Sequence, residues 1–215
     1  MIQITNKEKR KICVVITNRA SYGRVKSVLK AIKQHSQLEL QIVVGGAAVL
    51  DKYGNIIPKL EKEGFKVSQH YNSLVEGETL LAMAKSTGNA LLELSTIFSN
   101  LKPDVVLTIA DRYETIATAI AATYQNIPLA HLLGGELTGT IDENVRHAIT
   151  KLSNLHFVAT QKAKEILIQL GEDPKTVFIT GCPSIDLIKD SELELPNYLF
   201  KKYYGEGNQF ELERE

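Results

Sequence analysis

Short apolar runs rich in Val, Ile and Leu recur along the chain and alternate with longer segments of helical period; no other feature restricts the fold as much. This alternation is the pattern of βαβ units feeding a parallel sheet. The spacing predicts strands over 11–17, 40–45, 65–69, 104–109, 128–132, 156–159 and 177–180. Their nearly continuous apolar content predicts burial on both faces. Helices are predicted over 22–34, 55–63, 78–100, 112–124, 142–152 and 161–170, with Gly64, the Lys102-Pro103 step and Gly171 as stop signals. The expected fold is therefore α/β, a Rossmann-like doubly wound parallel sheet with its ligand site at the carboxyl ends of the strands. After Ile188 the alternation gives way to a charged and aromatic stretch. The reading is a domain over 1–190 and a tail over 191–215 that leads toward a further domain.

Several functions are disfavoured at once. The 25 basic and 25 acidic residues cancel, so no net field draws the chain to nucleic acid or to an anionic membrane. No apolar run reaches the roughly 18 residues needed to span a bilayer. The polar start MIQITNKEKRK lacks the apolar centre of a secretory signal, and a cytoplasmic protein is expected. Two cysteines, Cys13 and Cys182, make neither a disulfide framework nor a metal cluster. The five histidines, at 35, 70, 131, 147 and 156, show no metal-ligand spacing, so neither metal nor cofactor is expected. The first strand runs into TNRASYGR without GxGxxG or GxxxxGKS, which argues against NAD binding and ATP hydrolysis.

The loops at the strand ends hold the candidate residues. In TNRASYGR, Ser21 reads as a helix N-cap beside a surface cation, Arg19; equally, the pair suits an anion at a helix start. Gly45-Gly46 ends the second strand, where missing side chains admit either a sharp turn or a closely approaching ligand. The fourth strand delivers Asp111, Arg112 and Glu114, which suit a helix cap with a salt bridge or a site; the fifth delivers His131, a satisfied core residue or a catalyst, and the turn Gly134-Gly135-Glu136. In GTIDENVRHAITKL, Thr140 and Glu143 fit a capping box, and Val145, Ile149 and Leu152 form the expected buried stripe. Asp142 with Arg146 and Glu143 with His147 are i, i+4 pairs, consistent with surface decoration or with a site.

Taken together, RASY, VVGG, LKPDVV, ADRYE, HLLGGELTGTIDENVRHAITKL and GCPSID, in this order and spacing, resemble the hydrolysing UDP-N-acetylglucosamine 2-epimerases of sialic and legionaminic acid biosynthesis. The likeness runs from about residue 11 to 190. It implies the N-terminal half of a glycosyltransferase-B-like fold, a UDP-sugar substrate held between two domains, and a homo-oligomer. A second domain is expected beyond residue 215. The implied reaction eliminates UDP to a 2-acetamidoglycal and adds water to release the 2-epimer. Asp111, Asp142, Glu136 and Glu143 are then the catalytic candidates, and Arg19, Ser21, Gly45, Gly46, Arg112, His131, Arg146 and His147 the substrate contacts. Leu133 departs from the HIEGGE of many N-acetylglucosamine enzymes, and Ala110 stands where glycine is common. The first departure brings in UDP-2,4-diacetamido-2,4,6-trideoxyglucose as an alternative substrate. A non-catalytic nucleotide-sugar-binding module and a glycosyltransferase are the readings from other classes.

Overall fold

The computed structural model describes residues 9–77 and 79–189; the tail expected over 191–215 lies outside them. Each of the seven expected strands is present: β1 (Arg10–Ile16), β2 (Leu38–Val44), β3 (Val67–His70), β4 (Val105–Ile109), β5 (Leu129–Leu132), β6 (Leu155–Val158) and β7 (Val177–Ile179). They form one parallel sheet in the order β3-β2-β1-β4-β5-β6-β7. The direction of winding reverses between β1 and β4, which opens a crevice at the carboxyl ends of these two strands.

The helices are α1 (Arg19–Gln34), α2 (Ile57–Lys62), α3 (Leu80–Leu101), α4 (Thr115–Tyr124), α5 (Ile141–Leu152), α6 (Gln161–Gln169) and α7 (Pro183–Lys189). Alternate residues of β1 bury to opposite faces. Val14 and Ile16 join a core with Tyr22, Val25 and Leu29 of α1, whereas Cys13 and Val15 join one with Leu94 and Phe98 of α3 and the alanines of α4. Burial on that second face pushes the Cys13 thiol up to about 12, which keeps it protonated and inert.

Three local expectations change. The N-cap of α1 is Asn18, whose Oδ1 accepts the Ser21 N–H at 2.8 Å, so Ser21 sits inside the first turn and is buried. α4 begins at Thr115 rather than at 112: residues 112–115 form a turn closed by the Thr115 N–H donating to the Arg112 carbonyl at 2.8 Å. That turn lifts Asp111 and Arg112 out of the helix and onto the rim of the sheet. α7, absent from the sequence reading, packs beside α1, where the Ser27 hydroxyl donates to the Pro183 carbonyl at 3.5 Å.

Candidate active site

Two residues without the freedom of glycine close strands in the left-handed region: Ala110 (φ 58°) after β4 and Leu133 (φ 67°) after β5. Each such residue costs roughly 1–2 kcal/mol, so surrounding bonds must hold it there. The Ala110 N–H donates to Leu132 O at 2.9 Å, and the Leu133 N–H donates to Phe157 O at 2.8 Å. The neighbouring strands are thereby bent together, and their loops leave the sheet side by side.

His131 pins this bend from below. It is fully buried, with Nε2 3.0 Å from the Ala110 carbonyl and Nδ1 3.2 Å from the Thr150 hydroxyl. A carbonyl can only accept, so Nε2 carries the proton and Nδ1 accepts from Thr150. Burial lowers the pKa to about 4 and the ring stays neutral. Both ring nitrogens are engaged inside the domain, as the core reading of a histidine at a buried strand end expects, and His131 positions the strand end.

Asp111, just beyond Ala110, pairs through Oδ2 with a guanidinium nitrogen of Arg146, while the other terminal nitrogen of Arg146 donates to the Glu136 carbonyl. Arg146 is 2% exposed. It ties the β4 loop, the β5 turn and α5 to one point as an internal clamp. The sequence reading paired it with Asp142, its i, i+4 neighbour; the fold gives it Asp111 instead, 35 residues away. Burial lowers the Arg146 pKa, with a further contribution from the nearby charge of Arg24. Arg24 was passed over in the sequence because an exposed arginine one turn into a helix looks like ordinary surface.

The capping box is also corrected. Thr140 is the N-cap of α5, but its side chain makes no capping bond. Instead, Glu143 Oε2 accepts the N–H groups of Thr138 at 2.5 Å and Gly139 at 2.7 Å. These backbone bonds lower its pKa. His147 Nε2 lies 3.9 Å from its other oxygen. Asp142 is partly buried beside Glu143, and the Glu136 side chain is exposed. Arg146 thus joins the Asp111 carboxylate to the backbone of Glu136, and Glu143 with His147 lies on the same helix as Arg146, one turn or less away. Of the expected stripe on α5, Ile149 is fully buried, while Val145 and Leu152 pack at the edge of the core.

On the other side of the crevice, Arg112 is half-exposed with Nε 3.1 Å from Glu114 Oε1. Glu114 is buried, which raises its pKa. Arg19, the first residue of α1, is exposed and lies against Gly54 in the loop after β2. Gly45 and Gly46 meet the demands of a sharp turn: a Cβ at Gly45 would fall 2.0 Å from the Tyr71 ring, and one at Gly46 (φ 58°) 2.9 Å from the Thr17 carbonyl oxygen. Among the described residues no three His, Cys, Asp or Glu side chains gather as a metal site, and no helix is long and apolar enough to cross a membrane.

A doubly wound parallel sheet with carboxylates and arginines at its switch point is a Rossmann-like α/β domain. The family model for UDP-N-acetylglucosamine 2-epimerase matches residues 30–208, and the chain belongs to that family. It is 40% identical over 196 residues to the UDP-N,N'-diacetylbacillosamine 2-epimerase (hydrolyzing) of Legionella pneumophila, covering 91% of this chain and 52% of that protein. It is 37% identical over 208 residues to the GDP/UDP-N,N'-diacetylbacillosamine 2-epimerase (hydrolyzing) of Campylobacter jejuni, covering 96% and 53%. A crystal structure of a UDP-N-acetylglucosamine 2-epimerase superposes with a TM-score of 0.79 at 24% identity, over 90% of this chain and 52% of that one. The chain spans about half the length of the curated relatives it matches.

Proposed function

We propose that the chain supplies the acid–base half of a hydrolysing UDP-N-acetylhexosamine 2-epimerase. One observation carries the reading: Arg146 of α5, the helix whose first turn holds Asp142 and Glu143, binds the Asp111 carboxylate at the end of β4 and the Glu136 carbonyl after β5. The reaction needs carboxylates there. A base removes the C2 proton as the C1–O bond breaks and UDP leaves, forming a 2-acetamidoglycal. Water then adds its oxygen to C1, and a proton returns to C2 from the other face. Asp111 and Asp142 move these protons, with Glu136 and Glu143 beside them. Arg19, Arg24 and Arg112 ring the crevice and offer local charge for the diphosphate, which a chain of zero net charge cannot attract at long range. The remaining half of the relatives' length would form the opposite wall of the crevice.

The substrate of the first reading is UDP-N-acetylglucosamine, released as N-acetylmannosamine and UDP. The second is UDP-2,4-diacetamido-2,4,6-trideoxyglucose, favoured by the names of the relatives at 40% and 37% identity. Either product belongs to nonulosonic acid synthesis in the cytoplasm. The protein acts as a homo-oligomer in this reading. Sedimentation of the full-length protein tests that point, and a monomer at working concentration refutes it.

The test of function is to incubate full-length protein with each UDP-sugar in D2O and follow UDP release and C2 deuteration by NMR. Release of UDP with deuterium at C2 is expected; no release from either sugar refutes the reading. Asp111→Asn and Asp142→Asn are expected to lower kcat by about 100-fold or more with the fold retained. Titration of the 215-residue chain by calorimetry addresses the non-catalytic module, which would bind nucleotide sugar unaided.

A further inference from the structure

Arg112 and Glu114 stand two residues apart, a spacing whose side chains leave an α-helix in different directions. They meet because α4 starts only at Thr115, so both lie on the turn before it. Arg112 Nε is 3.1 Å from Glu114 Oε1 and 3.4 Å from Oε2, and the guanidinium lies over the Tyr113 ring at 5.7 Å. The two side chains differ in their access to solvent: 47% of Arg112 is exposed but only 4% of Glu114. Glu114 is the N-cap of α4, yet its side chain makes no capping bond. Helix capping therefore does not explain why a carboxylate is buried here.

A buried carboxylate is costly unless it is paired, and burial raises the Glu114 pKa against the pull of Arg112. Both contacts run through Nε, so they fix the plane of the guanidinium without using its terminal amino groups, which suit the oxygens of a phosphate. We infer that Glu114 is a positioning residue: on the reading that the protein is a UDP-hexosamine 2-epimerase, its buried carboxylate holds Arg112 in one orientation at the crevice, where the guanidinium binds the diphosphate of the substrate. Glu114 takes no part in the proton transfers. A sealed carboxylate does not reach a sugar carbon, whereas the half-exposed guanidinium reaches an anion. An arginine free to rotate gives up its rotamers on binding, and one already held loses fewer.

The experiment titrates full-length protein with UDP by calorimetry and measures kcat and KM for whichever UDP-sugar it turns over. It compares wild type with Glu114→Met, Glu114→Gln, Arg112→Lys and Arg112→Met, each verified as folded by thermal unfolding. Glu114→Met leaves Arg112 half in solvent rather than buried and unpaired, so the fold should survive. It is expected to weaken UDP binding and to raise KM by about tenfold, with kcat within about threefold. Glu114→Gln keeps an acceptor for Nε and should lose no more than about threefold. Arg112→Lys keeps the charge but not the Nε–H that Glu114 grips, and should match Glu114→Met. In the Arg112→Met background, Glu114→Met should change UDP binding by less than about twofold, because it acts only through Arg112. A kcat that falls about 100-fold at unchanged KM, effects that multiply in the double variant, or UDP binding that neither Glu114→Met nor Arg112→Lys moves overturns the positioning role while the epimerase reading stands. Wild-type protein that neither binds UDP nor releases it from a UDP-sugar overturns the epimerase reading itself.

Discussion

Two groups of buried polar side chains lie on the same face of the sheet, and they are built differently. Around β5 and α5, His131, Thr150, Arg146 and Asp111 satisfy one another, and every ring and guanidinium nitrogen cited has a protein partner. Around β4 and α4, Tyr71 Oη, Thr108 Oγ1 and Thr118 Oγ1 are buried without a protein partner. A satisfied buried network fixes geometry, because each member that moves exposes another to an unpaired state. Unpartnered hydroxyls impose no such constraint. The difference teaches where the site is rigid: at the clamp carrying Asp111, not in the layer beneath Arg112.

The largest effect that can break this comparison is Arg146→Met. It leaves Asp111 without its buried partner and frees the Glu136 turn, so a loss of about 3 kcal/mol or more is expected in urea unfolding. A loss under about 1 kcal/mol would show that the clamp does not hold the site together. Acid should weaken the same region by a similar amount. The folded state keeps His131 neutral with a pKa of about 4, against 6.5 for a free histidine. Between these values the unfolded chain binds more protons than the folded one. Stability is therefore full above pH 6.5 and declines as pH falls toward 4, by on the order of 3 kcal/mol. His156, whose pKa burial also lowers, adds in the same direction. Urea midpoints at pH 7 and pH 4.5 measure the decline, and its absence in a His131→Asn variant would sharpen the assignment.

Gly135→Ala should cost less, about 1–3 kcal/mol, because the new Cβ would lie 2.5 Å from the Ala163 carbonyl at φ 82°. Thr118→Val is the smallest change. It replaces an unpartnered buried hydroxyl by a methyl of the same shape, and a shift within about 1 kcal/mol, neutral or stabilising, is expected in thermal unfolding. A large loss there would mean that the second region is as tightly bonded as the first.

Much of the fold was legible because burial on both faces makes each strand a nearly unbroken apolar word, as in KICVVIT and DVVLTIA. Helix starts were less legible. Asn18 and Ser21 are both able to cap, and only the backbone path out of β1 decides between them. Thr140 and Glu143 have the spacing of a capping box, yet the turn through Gly139 brings two backbone N–H groups to Glu143 first. The position of Asp111 at a strand end could be read, whereas the partners of the charged residues around it could not. His131 and Arg146 carry the same polar groups whether they face a ligand or the core; burial alone assigned them to the core.

The sequence by itself determined the kind and order of the elements, because hydrophobic period acts over neighbouring residues and names a strand or a helix locally. Only the tertiary structure decided which charge meets which. Asp111 and Arg146 are distant along the chain, and their encounter depends on β4 pairing with β5 and on α5 folding back across both. A charge in the sequence has many partners within reach of the chain, and a packed interior leaves it one.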